Sequence, residues 1–187
     1  MKKLLILLLI HIKPISSATT STTAKFAVIM DFDTENILYD KDANSRIYPA
    51  SMSKLMTLYI LFEEISLGKI SMDTEFLVSE KAWKKGGSKM FVEIDSYVKV
   101  KDLLKGIIVQ SGNDACIVIA EGISGSENAF ADLMNNKAKK LGLLNSNFKN
   151  STGWPDDEHY MTHYDLAYMS KKIINDIPEY FTMIKEK

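Results

Sequence analysis

One cysteine, one arginine, three histidines and four prolines in 187 residues leave several chemistries without their raw material. A lone Cys116 forbids an internal disulfide, and its apolar neighbours Ala115, Ile117 and Val118 mark it as a small buried hydrophobe rather than a nucleophile. His159 and His163 are spaced as H-x-x-x-H, but Tyr160 stands where a zincin carries glutamate, and no third ligand is indicated. No metal is therefore expected. A formal net charge of −1 offers no pull towards nucleic acid or an anionic membrane surface. The apolar run at residues 4–10 is far short of the ~20 residues a membrane helix needs. Gly86-Gly87-Ser88 lacks the strand-loop-helix with Lys-Ser/Thr that cradles phosphate, and Asp156-Asp157-Glu158 is an exposed acidic loop rather than a calcium site.

What is present suits an ordinary globular domain. Apolar residues make up 46% and charged residues 25%. No internal repeat, low-complexity stretch or interdomain linker interrupts the chain. The N-terminus reads as an export signal: Met1-Lys2-Lys3 is a basic start, residues 4–10 are apolar, and Ser16-Ser17-Ala18 supplies small residues for cleavage. Residues 1–18 are thus assigned to a signal peptide, 19–23 to a polar spacer and 24–187 to a single domain. The expected location is outside the cytoplasm.

Along the domain, strand-like residues 25–32 and 37–39 flank a polar turn and predict a β-hairpin. Residues 40–48 read as a polar connection. Residues 51–66 predict a largely buried helix through Met52, Leu55, Met56, Tyr59, Ile60 and Ile65, stopped by Gly68. A short strand is expected at 76–78 and a helical turn at 81–85. Extended residues from 98 then feed a helix with Leu103, Leu104, Ile107 and Ile108 on one face. Helices follow at 115–123, 127–141 (Ser126 as N-cap) and 162–174, with a last turn from Pro178. Residues 145–153 read as loop and short strand, and 154–160 as polar loop. Met52, Met56, Met72, Met90, Met134, Met161 and Met169 are read as core filler.

Two short patterns carry chemistry. Ser51 and Lys54 lie three positions apart at the start of a helix, one turn from each other on the same face. A hydroxyl beside an amine can be a nucleophile and its base. Lysine normally holds its proton to pH ~10.4, so burial or nearby cations must lower that value. Ser111 and Asn113 occupy a turn between two apolar helices, a place from which polar side chains reach a cleft.

Read together and in order, the stretches Tyr48-Pro49-Ala50-Ser51-Met52-Ser53-Lys54-Leu55-Met56-Thr57, Gly87-Ser88-Lys89-Met90-Phe91-Val92, residues 100–106, Gln110-Ser111-Gly112-Asn113-Asp114-Ala115, Phe148-Lys149-Asn150-Ser151-Thr152-Gly153, and His159 with Thr162, Asp165 and Leu166 resemble the low-molecular-mass penicillin-binding proteins of the D-alanyl-D-alanine carboxypeptidase type, the S11 serine peptidases. The resemblance implies an α+β, penicillin-binding-protein/β-lactamase-like transpeptidase fold, largely helical with an N-terminal β-hairpin. It implies removal of the terminal D-alanine from peptidoglycan stem peptides ending in D-Ala-D-Ala, in cell wall biosynthesis. Ser51 would form the acyl-enzyme, Lys54 take its proton, Ser111 pass a proton towards the leaving group and Asn113 hydrogen-bond the substrate. No cofactor or metal is implied. β-Lactams would be covalent inhibitors of a complete site, and the place of work the periplasm or the outer face of the cytoplasmic membrane. A β-lactamase-like hydrolase would need a deacylating E-x-x-L-N loop, which is not visible.

The family's third element, Lys-Thr/Ser-Gly on an edge strand, occurs nowhere in the chain. That strand supplies a second oxyanion donor and a cation near the first lysine, and the last strands of the sheet go with it. The expectations are little or no activity of this chain alone, and either an inactive remnant or completion by a separate C-terminal fragment carrying Lys-Thr-Gly.

Overall fold

The computed structural model describes residues 21–184, so the expected signal peptide lies outside the described residues. Residues 21–23 of the expected spacer are exposed and without regular structure.

The chain begins with the expected hairpin, β1 (Ala27–Met30) and β2 (Ile37–Lys41). The strands pair antiparallel from Ala27↔Lys41 to Ile29↔Tyr39, with an irregularity before Met30↔Ile37. Asp31 Oδ1 accepts from Thr34 N and Oγ and closes the turn. The hairpin packs on α6 (His163–Asp176) through β1. Its outer residues stay open, with Ile29, Phe32, Ile37 and Leu38 all exposed.

Two helices make the centre. Helix α1 (Lys54–Ser66) is buried continuously from Met56 to Phe62. Helix α4 (Asn113–Ser124) is buried from Asn113 to Ala120, polar start included. A helix apolar all round belongs inside a core. Accordingly α1, α2 (Glu80–Lys84), α3 (Val100–Gln110), β4 (Glu75–Leu77) and α5 (Glu127–Leu141) all pack on α4. Each buried Leu, Ile or Phe contributes about 1.5–3 kcal/mol relative to exposure. Gly122 is the point of closest approach, since a Cβ there would lie 2.4 Å from the Phe76 ring of β4. Ser126 caps α5 by accepting from Ala129 N, as expected. Helix α7 (Pro178–Ile184) closes the described chain.

Tertiary pairing changes four local readings. The polar connection at 40–48 contains β3 (Arg46–Ile47), which pairs with β6 (Met161–Thr162) far along the chain. The short strand expected within 145–153 is a single bridge, Asn147↔Tyr160. The helix expected from Ser51 opens as a tight 3-10 turn, Ala50–Ser53, and becomes α-helical only at Lys54. Met52, read as core, is 43% exposed, because that turn points it outward. Met56, Met134, Met161 and Met169 are fully buried. β5 (Tyr97–Lys99) pairs with β4, so each of the three sheets has two strands among the described residues.

Candidate active site

Ser51 and Lys54 meet where the 3-10 turn runs into α1. Pro49 fixes the approach and Ala50 has φ 48°, a left-handed conformation that an alanine adopts only under constraint. The constraint is Gly153, whose backbone lies so close to the Ala50 carbonyl that a Cβ on it would be 1.7 Å from that oxygen. Ser51 sits in the first turn of a helix, where backbone N–H groups have no intrahelical acceptor.

Lys54 Nζ stands 2.9 Å from Ser51 Oγ and 3.2 Å from Ser111 Oγ. The lysine is only 4% exposed and makes no ion pair with a described residue. Burial pulls its pKa below the ordinary lysine value, with a contrary electrostatic contribution from Cys116. A buried amine without a carboxylate favours its neutral form, the state a general base requires. Cys116 itself is fully buried and its thiol is pushed up to about 12, mainly by burial, so it is not a competing nucleophile.

Ser111 is the left-handed C-cap of α3, with φ 53° and ψ 37°. That single reversal turns its hydroxyl from α3 towards Lys54 on α1. Gly112 follows, and Asn113 opens α4. Asn113 is 7% exposed, and its Nδ2 donates to Gly86 O over 2.9 Å while its backbone N donates to Ser88 O over 2.8 Å. Its Oδ1 accepts no hydrogen bond from a described residue, so the carbonyl end of the amide is the one free for a ligand.

Sequence reasoning missed the groups that hold these residues in place. Asp114 is fully buried, and its carboxylate accepts from Met90 N, Phe91 N, Val92 N and Ala115 N at 2.9–3.2 Å. It thereby ties the 90–92 segment to the Ser111–Asn113 turn and holds Phe91 at φ 65°. Glu127 accepts from Ser151 N and Oγ and pairs with Lys81 at 2.8 Å. Burial alone would raise the Glu127 pKa, but Lys81 and the Ser151 bonds outweigh it and hold the carboxyl below its ordinary value. Thr57 Oγ1 donates to Ser151 O, carrying this network to α1. Asn150 Oδ1 accepts from Thr152, Gly153 and Trp154 backbone N–H groups and fixes the loop beside Ala50. The motif stretches contained several of these residues. Apart from Asn150, whose bonds are local, they reach partners many residues away, which sequence spacing does not reveal.

His159 is engaged at both nitrogens, with Ser53 Oγ and with Lys149 N. Among the described residues no cluster of three or more His, Cys, Asp or Glu is placed to hold a metal. A cleft of about 200 Å³ opens at the site, lined by Ser51, Lys54, Ser111 and the apolar Leu55, Leu58, Ile107 and Ile108. It places a serine hydroxyl and a buried amine at the edge of an apolar wall, an arrangement suited to acyl transfer.

The family profile described as D-alanyl-D-alanine carboxypeptidase, Peptidase S11, matches residues 13–187. The chain belongs to that family. It is 47% identical over 151 residues to the D-alanyl-D-alanine carboxypeptidase DacF of Bacillus subtilis, covering 81% of this chain and 39% of that protein. The crystal structure of the D-alanyl-D-alanine carboxypeptidase DacD from Francisella tularensis superposes with a TM-score of 0.89 at 40% identity, over 97% of this chain and 43% of that one. Penicillin-Binding Protein D2 from Listeria monocytogenes, solved in its ampicillin-bound form, superposes with a TM-score of 0.75 at 26% identity, over 85% of this chain and 65% of that one. The expected fold class is thus observed in the family's helical part, while the chain spans well under half the length of the first two relatives. No helix among the described residues is long and apolar enough to cross a membrane.

Proposed function

We propose that Ser51, Lys54 and Ser111 form the acyl-transfer centre of a serine-type D-Ala-D-Ala carboxypeptidase that trims peptidoglycan stem peptides outside the cytoplasm. One observation carries this reading: a buried lysine amine, without a carboxylate partner, lies within hydrogen-bond reach of two serine hydroxyls.

The distances support the following steps. Neutral Lys54 takes the Ser51 proton as Oγ bonds to the carbonyl carbon of the D-Ala–D-Ala amide. The oxyanion faces the free N–H at Ser51. Ser111, the second neighbour of Lys54 Nζ, passes that proton to the leaving nitrogen as the C–N bond breaks and D-alanine departs. Water then cleaves the Ser51 ester, with Lys54 accepting its proton and returning it to Ser51. Asn113 Oδ1 receives an N–H of the substrate backbone. A β-lactam amide enters the same first step and stays as a covalent ester.

A second reading rests on the open, apolar side of the cleft at Leu55, Leu58, Ile107 and Ile108. The family resemblance implies a Lys-Thr/Ser-Gly strand that lines the cleft and completes the oxyanion hole, and no such tripeptide stands in these 187 residues. On this reading the chain alone is a non-catalytic fragment, completed by a segment or partner chain that carries the strand. Loss of one oxyanion donor costs about 10²–10³ in rate in a well-studied enzyme.

Fluorescent penicillin followed by peptide mass spectrometry separates the two. Slow labelling confined to Ser51 and abolished in Ser51→Ala supports the catalytic reading. Absence of any adduct on prolonged incubation leaves the non-catalytic one.

A further inference from the structure

Outside the catalytic trio, the segment Lys85-Gly86-Gly87-Ser88 is pressed between two side chains. On one side is Asn113, bonded to Gly86 O. On the other is the indole of Trp154. A Cβ on Gly87 would meet Asn113 Nδ2 at 2.7 Å and the Trp154 ring at 3.2 Å, and one on Gly86 would meet that ring at 3.7 Å. Two glycines are therefore what allows the indole to lie this close to Asn113. Trp154 also reaches the nucleophile's side of the cleft through its neighbour Gly153, which packs on the Ala50 carbonyl. The indole therefore stands beside Asn113, and Trp154 is 43% exposed.

Lys85 Nζ sits 4.1 Å from the centroid of the Trp154 ring. The lysine is half-buried and has no ion pair with a described residue. Glu127, an acid that acts on it electrostatically, is already taken by Lys81 and Ser151. Burial depresses the Lys85 pKa, and Lys81 pushes it the same way against Glu127. A partly desolvated cation over an aromatic face with no carboxylate of its own offers a place for one.

Resting on the catalytic reading above, we propose that Trp154 and Lys85 form a substrate subsite beside Asn113. It takes the residue immediately upstream of D-Ala-D-Ala and prefers a side chain that ends in a carboxylate. The aliphatic stem lies on the indole, and the carboxylate meets Lys85 Nζ. The cation–π pair fixes the ammonium before the ligand arrives, so little ordering cost is left for binding.

Trp83→Phe leaves Trp154 the sole tryptophan of the chain, so its emission reports this platform. In that background with Ser51→Ala, which prevents turnover, the full chain is titrated with N-acetyl-L-Glu-D-Ala-D-Ala and with N-acetyl-L-Gln-D-Ala-D-Ala. The acidic peptide should bind about fivefold more tightly, and high ionic strength should shrink the difference. Adding Lys85→Gln should abolish the preference while both peptides still bind, and Lys85→Arg should keep it. Equal affinities with Lys85 in place, or a preference that survives Lys85→Gln, overturn the subsite. If neither peptide perturbs Trp154 while penicillin still acylates Ser51 in the parent chain, the subsite falls and the catalytic reading stands. If neither reaction occurs, both fall.

Discussion

His159 Nε2 and Ser53 Oγ are 2.8 Å apart, a hydrogen bond between residues separated by 106 positions. Because His159 Nδ1 accepts from Lys149 N at 3.2 Å, the ring proton is on Nε2 and the imidazole is the donor to Ser53. Ser53 lies in the turn between Ser51 and Lys54, so a neutral histidine pins the backbone that carries the proposed nucleophile and base.

The first prediction follows from that neutrality. Burial lowers the His159 pKa from its ordinary 6.5 to about 4, with Asp156 pulling the other way. Unfolded chains bind the proton below about pH 6.5 and the folded chain does not until about pH 4. The contribution is therefore fully present above pH 6.5 and is lost as pH falls towards 4, on the order of 3 kcal/mol at full effect. Urea unfolding across this range should show a steeper loss of stability for the parent chain than for His159→Gln. Parallel curves would contradict it.

Lys54 should titrate below the ordinary lysine pKa of 10.5, because burial disfavours its charged form. Carbon-detected NMR of the lysine Cε resonances reads this without turnover. A Lys54 midpoint at or above those of the exposed lysines would contradict the assignment of Lys54 as a base. Lys54→Arg, which cannot become neutral, should lower any penicillin acylation rate by at least about a hundredfold.

Gly153→Ala is expected to destabilise the chain by at least about 3 kcal/mol. Its Cβ would overlap the Ala50 carbonyl oxygen, a backbone atom, and φ +79° disfavours any side chain there. The mutation should also shift the Ala50 and Ser51 amide resonances. A urea midpoint within error of the parent would show that the loop and the 3-10 turn part readily.

Asp114→Asn should cost about 2–4 kcal/mol, because an amide nitrogen would face backbone donors that now point at a carboxylate oxygen. Hydrogen exchange at Met90, Phe91 and Val92 should accelerate in this variant while α5 keeps its protection. Unchanged exchange at those amides would mean that other contacts hold the segment.

Much of the molecule was legible in residue order because it depends on local chemistry. Helical periodicity located α1, α3, α4, α5 and α6, and Ser126 was correctly read as a cap. Cys116 lies in the core as its apolar neighbours imply. The β3–β6 pair was missed because two-residue strands carry no period and their partners are over a hundred positions apart. Met52 was misplaced because a 3-10 turn rotates its side chain away from the face an α-helix would present.

The sequence by itself determined which residue types stand at the centre, since S-x-x-K and S-x-N with their flanks identify a family on spacing and order alone. Only the tertiary structure decided that Lys54 is buried without a counter-charge, and that Ser111 is turned onto it by one left-handed residue at the end of α3. The reason is physical. A pKa and a hydrogen bond depend on what surrounds a group in space, and here those surroundings come from α1, the α3–α4 turn and the loop ending at Gly153, which the linear chain keeps far apart.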